Sequence, residues 1–185
     1  GFGELGICCK VCMMGPCRID PFGEGAQRGV CGATADIIAA RNLIRMIAAG
    51  SSAHSDHGRE IVQTLIMTAE GKTDGYKIRD EGKLKTLAEE LNIKTEGKDI
   101  KQIAKEVGER LLSEYGQQEG KLIFFNRAPK KRQDIWEKLK LFARGIDREI
   151  VGLMARTNMG VDNDVENIIN SGLRASLADG WGGSM

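Results

Sequence analysis

All five cysteines of this 185-residue chain fall within its first 31 residues, spaced Cys8-Cys9-x2-Cys12-x4-Cys17-x13-Cys31, and none follows. A disulfide framework spreads its bridges through a fold, whereas thiolates crowded into one short, glycine-rich stretch build a local site for a soft metal. Four thiolates hold a 4Fe-4S cubane, and Cys9, Cys12, Cys17 and Cys31 supply that count. Gly15-Pro16 before Cys17, and Gly29 and Gly32 around Cys31, permit tight turns and keep bulk away from the metal. Structural zinc is the rival, because a C-x2-C knuckle with two further cysteines also suits a tetrahedral ion. Zinc sites favour two short knuckles across a longer gap, however, and here a single knuckle is followed by x4 and x13, so the spacing favours iron-sulfur.

Cys8 stands apart from this set. Consecutive residues seldom point into one small site, so on residue chemistry Cys8 serves a second metal centre or is a buried free thiol. Gly1-Phe2-Gly3-Glu4-Leu5-Gly6 matches the G-x-G-x-x-G pattern, but no strand precedes it and cysteines, not a helix, follow it. Dinucleotide binding is therefore rejected.

The run Cys8-Cys9-Lys10-Val11-Cys12-Met13-Met14-Gly15-Pro16-Cys17-Arg18-Ile19-Asp20-Pro21, with Gly29-Val30-Cys31-Gly32-Ala33-Thr34-Ala35-Asp36 and Ala40-Arg41-Asn42, resembles the amino-terminal region of the anaerobic nickel-iron carbon monoxide dehydrogenases. The likeness returns over Asn158-Met159-Gly160-Val161-Asp162 and from Gly172-Leu173-Arg174 to Gly183, while the middle matches only in helical character. The resemblance implies an enzyme that oxidises CO with water to CO2, protons and electrons. It implies Cys9, Cys12, Cys17 and Cys31 as ligands of an intrasubunit 4Fe-4S cluster. It also implies Cys8 as a ligand of a second cluster shared across a homodimer, whose other ligand from the same subunit would fall just before Gly1. Electrons would pass to a ferredoxin-type acceptor, with acetyl-CoA synthase as a further partner. The nickel-iron-sulfur active-site ligands of that family lie in downstream α/β, Rossmann-like domains; none is present here, so this piece alone is not expected to oxidise CO. The sister hybrid-cluster, hydroxylamine reductase-like family shares the architecture, but Cys8-Cys9 and Met13-Met14-Gly15-Pro16 speak against it. A zinc-stabilised helical interaction module is the reading from a different class.

Only His54 and His57 occur, three apart on one helical face. Histidine exchanges protons near neutral pH, and the resemblance implies a row of such residues as a proton relay. Continuing the spacing reaches Glu60 and Gln63, and an amide does not titrate, so the row departs from the family pattern. Without the resemblance, two histidines beside Asp56 and Arg59 read as an ordinary polar helix face.

With 27 basic and 26 acidic residues the chain has no field for capturing nucleic acid or an anionic membrane, and no apolar run reaches transmembrane length. Thiolates that must stay reduced argue for the cytoplasm. The expected fold is mainly α: a cluster-binding loop over residues 1–35, then a helical domain over 36–185, both within one structural unit of a larger protein. Thr34 caps a helix with Ile37, Ala40, Ile44, Ile47 and Ala48 inward and Gly50 ending it; a second starts near Ser52 and buries Ile61, Val62, Leu65 and Ile66. Both are expected to cover the cluster. Leu84, Leu87, Ala88 and Leu91 mark a short helix, Asp99 and Gln102 a capping box, and Pro129 a helix start. Leu122–Phe125 reads as a brief strand or a helix entry. Asp147–Ala155 is amphipathic, and Asp162 or Asn163 caps a last helix; Asp162 and Asp164 lack the loop a calcium site needs.

Overall fold

The computed structural model describes residues 1–183; Ser184 and Met185 lie outside the described residues. Up to Thr34 the chain makes turns and one antiparallel ribbon, β1 (Cys8–Cys9) against β2 (Cys17–Arg18). The register sets Cys9 opposite Cys17 and Cys8 opposite Arg18. Opposed residues of paired strands share a face, and successive residues alternate faces. Cys9 and Cys17 therefore point one way and Cys8 the other.

Six α-helices follow among the described residues: α1 (Ala35–Ala69), α2 (Glu81–Glu90), α3 (Ile100–Gly116), α4 (Lys130–Lys138), α5 (Ile146–Arg156) and α6 (Val165–Gly183). No helix is long and apolar enough to cross a membrane among the described residues. The mainly helical fold is as expected, with one substantial correction. The two helices expected on either side of Gly50 are one, about 50 Å long at the helical rise per residue. Gly50 keeps a helical φ, and the Ser52 hydroxyl donates to the Ala49 carbonyl at 2.9 Å instead of capping a new start. A glycine inside a helix costs only about 1 kcal/mol, and α1 packs along its length against α3, α5 and α6.

The core has two parts, and α1 runs through both. Its first half, with Ile37, Ile38, Ile44 and Ala48 buried, packs on Ile7, Cys9 and Ile19 of the ribbon and on Leu153, Ile168 and Ala175 of α5 and α6. Its second half sets Val62, Leu65 and Ile66 against α3, whose Ile103, Ala104, Val107 and Leu111 are buried. So only the first half covers the cysteine loop, and Ile61, expected inside, is 59% exposed. Two glycines allow the close crossings: a Cβ on Gly172 of α6 would stand 2.7 Å from Ile44 Cγ2, and one on Gly108 of α3 would stand 2.4 Å from Ile66 Cγ1.

Local signals behave largely as their chemistry requires. Asp99 accepts from the Lys101 and Gln102 amides, each at 2.8 Å, while the Gln102 side chain accepts from the Asp99 amide at 3.0 Å, closing the capping box. Thr34 is the N-cap of α1, yet its hydroxyl bonds the Asp36 carboxylate and not a helix amide. Leu122–Phe125 resolves into the entry of a 3-10 helix, Ile123–Arg127, stitched to α3 by the buried Glu114 carboxylate, which accepts from the Ile123 amide at 2.7 Å. The cap of α6 is Asp164, which accepts from the Asn167 amide at 2.9 Å. Asp162 and Asn163 are diverted instead: Asp162 takes the Arg156 guanidinium at 2.6 Å, and Asn163 takes that of Arg41 at 2.8 Å.

Candidate metal centre

Cys9, Cys12, Cys17 and Cys31 line one small pocket. The ribbon supplies Cys9 and Cys17 from directly opposed positions, and the turn between its strands supplies Cys12. That turn closes by the Gly15 amide donating to the Cys12 carbonyl at 3.2 Å. Cys31 arrives from a second turn, in which the Gly29 amide donates to Ala33 O at 2.8 Å and Gly32 adopts a φ of +85°. The loop between is clamped by Asp20, whose carboxylate accepts from the Glu24 and Gly25 amides at 2.6 and 2.9 Å. Those amides, Gly25 foremost, hold the Asp20 carboxyl below the ordinary carboxylate range.

Two glycines in this wall leave little room for a side chain. A Cβ on Gly29 would lie 3.2 Å from Cys17 Cβ and 3.4 Å from its Sγ, and one on Gly15 would lie 3.0 Å from the Cys9 carbonyl, so either would press on the neighbouring cysteines. Cys8 does not line the pocket; it is half-buried on the other face of β1. All five cysteines are free thiols.

The donor set can be tested against a metal group. Four thiols around a common space, with glycines where a side chain would intrude, suit a compact inorganic core gripped from its corners. Four thiolates also meet the ligand count of a tetrahedral zinc ion, and elemental analysis separates the two.

Two polar side chains of α1 hold the loop in place. Asn42 Nδ2 donates to the Gly6 and Cys8 carbonyls at 3.0 and 3.2 Å, tying down β1. Arg41 Nη1 donates to Cys31 Sγ at 3.6 Å, and Met159, from the turn before α6, closes the pocket beside it. Burial by itself would push the Cys31 thiol up; the Ala33 and Gly160 amides and the Arg41 guanidinium outweigh it and hold the thiol below its ordinary range, favouring thiolate. Neither Arg41 nor Asn42 stood out as functional from sequence. The legible signal for Arg41 was a charge on the apolar stripe of α1, between Ile37 and Ile44.

His54, His57, Glu60 and Gln63 all lie on the exposed face of α1. His54 Nδ1 lies 2.8 Å from Asp179 Oδ1 of α6, a partner that sequence spacing could not reveal because 125 residues separate them. Next to them Arg59 Nη1 donates to Asp147 Oδ2 at 2.8 Å, and Ser55 donates to Asp147 Oδ1 at 2.6 Å.

Comparison with known proteins agrees over the whole chain. The Prismane/CO dehydrogenase family model matches residues 7–185. Carbon monoxide dehydrogenase 1 of Methanosarcina acetivorans is 58% identical over 184 residues, covering 100% of this chain and 29% of its own length. Carbon monoxide dehydrogenase 1 of Carboxydothermus hydrogenoformans is 50% identical, with 97% of this chain and 29% of its own length covered. The crystal structure of nickel-free carbon monoxide dehydrogenase from Thermococcus sp. AM4 superposes with a TM-score of 0.94 at 55% identity, covering 100% of this chain and 29% of that one. The chain thus spans under a third of these relatives, at 29% of their length. With 50–58% identity to these relatives and a shared fold over essentially its whole length, this chain belongs to the Prismane/CO dehydrogenase family, matching one region of its carbon monoxide dehydrogenases.

Proposed function

We propose that this region handles electrons for CO oxidation: residues 1–35 form a cluster-binding unit, residues 36–185 a helical scaffold, and the catalytic nickel centre belongs to the rest of the enzyme. The observation that carries the reading is the convergence of Cys9, Cys12, Cys17 and Cys31 on one glycine-walled pocket. These four thiolates would hold a 4Fe-4S cubane, which when bound supplies one-electron storage and transfer. The chain's own residues do the rest. Gly15 and Gly29 keep the space free, Ile38 and Met159 limit water, and the Arg41 guanidinium and backbone amides meet the sulfur charge. Cys8, turned to the opposite face of the ribbon, would ligate a second cluster shared with another copy of the chain, making a homodimer. The electrons would leave to a ferredoxin-type acceptor in an anaerobic cytoplasm. A solved relative, 38% identical, is an acetyl-CoA synthase/carbon monoxide dehydrogenase, which supports acetyl-CoA synthase as a partner.

The test is elemental. Protein purified without oxygen is expected to be brown, to contain iron and inorganic sulfide, and to lose its visible absorption on reduction. Zinc in place of iron would sink the proposal and leave the helical interaction module.

His54 has a separate part in this proposal. Asp179 anchors its Nδ1, leaving Nε2 to exchange protons with whatever faces it in the assembled enzyme. In the full-length enzyme His54→Ala is expected to slow CO oxidation by up to about 10²-fold, the lower range for a positioned proton-transfer group, with metal content unchanged. Asp179→Asn, which keeps the shape, should slow it less. Steady-state rates across pH indistinguishable from wild type would remove both residues from proton handling.

A further inference from the structure

We propose that Arg41 sets the reduction potential of the centre held by Cys9, Cys12, Cys17 and Cys31, as a buried cation whose counter-charge is the thiolate cluster itself. The inference rests on the cubane reading above. Arg41 is 1% exposed, on the apolar stripe of α1. Its Nη2 donates to the Asp162 carbonyl at 2.6 Å and to Asn163 Oδ1 at 2.8 Å, and its Nη1 donates to Cys31 Sγ at 3.6 Å. The two oxygen partners are neutral. The nearby Asp162 carboxylate is taken by Arg156 at 2.6 Å, and no carboxylate pairs with Arg41 among the described residues.

A guanidinium withdrawn from water without a counter-ion is strongly unfavourable. Nε, moreover, is buried without any hydrogen-bond partner. Of the groups that Arg41 touches, only the cysteine sulfur can carry negative charge, and a thiolate-ligated cubane carries more. Reduction adds one electron to an already anionic centre. A fixed positive charge and an N–H···S bond both stabilise that product over the oxidised form, so Arg41 raises the potential. Asn163 and the Asp162 carbonyl hold the fork against the sulfur, so the turn before α6 shares in the setting.

The experiment is a potentiometric titration of the full-length, anaerobically prepared protein, followed by electron paramagnetic resonance. The relevant signal is the one that disappears in Cys12→Ser. Arg41→Met is expected to keep its iron and shift the midpoint downward, making the reduced-to-oxidised ratio about tenfold smaller at fixed potential, about 59 mV for a one-electron couple. Arg41→Lys, which keeps charge and loses the fork, should shift less. Asn163→Ala should move the midpoint the same way without removing the cation, and with Arg41→Lys it carries the test if Arg41→Met does not assemble. Variants that hold their iron and titrate at the wild-type potential overturn the assignment of Arg41 and leave the cubane standing. Lack of any such signal from the wild type overturns the cubane and the assignment together.

Discussion

Cys12→Ser is expected to strip the iron of one whole cubane from each chain. Cys12 sits alone in the turn between the strands of the ribbon, so no neighbouring thiol can move into its place; Cys8 and Cys9 are fixed by pairing with Arg18 and Cys17. A serine oxygen is a hard, weakly acidic donor and a poor substitute on iron that prefers sulfur. A cubane held by all four thiolates would tie the ribbon to the Cys31 turn, so its loss should loosen residues before α1 and make them sensitive to protease. Cys8→Ser is the informative contrast. Its side chain lies across the ribbon from the pocket, and this variant should keep the intrasubunit iron while losing the shared cluster and weakening the dimer. Iron and sulfide per chain, with the mass in solution, measure both. Full iron in Cys12→Ser would refute its role, and an unaltered dimer with full iron in Cys8→Ser would refute that of Cys8.

Glu149→Ala is expected to be the most damaging single change to the scaffold. The carboxylate is 3% exposed in the first turn of α5 and accepts from the Arg144 amide at 2.9 Å, Arg144 Nε at 2.9 Å and Arg144 Nη2 at 3.1 Å. Arg174 of α6 reaches it at 3.5 Å. Burial pulls the Arg174 guanidinium below its ordinary range even with Glu149 present, and Arg144 and Arg156 add repulsion. Removing the shared anion leaves two cations unpaired between α5 and α6; Arg144 is 34% and Arg174 21% exposed, so water offsets part of the cost of a broken buried pair and leaves about 2 kcal/mol. For a chain of this size that is a fall on the order of 5 °C in the unfolding midpoint. Glu149→Gln, which retains the oxygen, should fall less.

The same residue gives a pH dependence with a definite sign. Burial alone would raise the Glu149 carboxyl; the Arg144 bonds and charge outweigh it and hold it below its ordinary 4.5. A folded-state value below the unfolded one means stability that is whole above 4.5 and lost as pH falls through the folded value. Thermal unfolding of Glu149→Gln should therefore vary less with acid pH than that of wild type. A Glu149→Ala midpoint within error of wild type would show that the arginines find other anions or solvent.

Much of this molecule could be read in advance because its signals are local. The capping box at Asp99 and Gln102, the apolar stripes of α3 and α5, and the glycines beside Cys17 and Cys31 act within a few residues, where spacing and conformation are the same thing. What went unread depended on contacts between distant segments. Gly50 has the chemistry of a helix end, and only packing of α1 on three other helices carries the helix through it. Asp162 and Asn163 have the chemistry of a cap, and it is Arg156 and Arg41 that take them away from it.

The sequence by itself determined that this protein would be mainly helical and would concentrate its thiols at one end, since residue type and spacing specify turns, amphipathic faces and ligand count. Only the tertiary structure decided that four thiols share a pocket while Cys8 faces elsewhere, that Arg41 is buried against Cys31, and that Asp179 meets His54. The physical reason is range: a ribbon's register, a helix crossing and a buried charge's partner are each fixed by groups brought together from far along the chain.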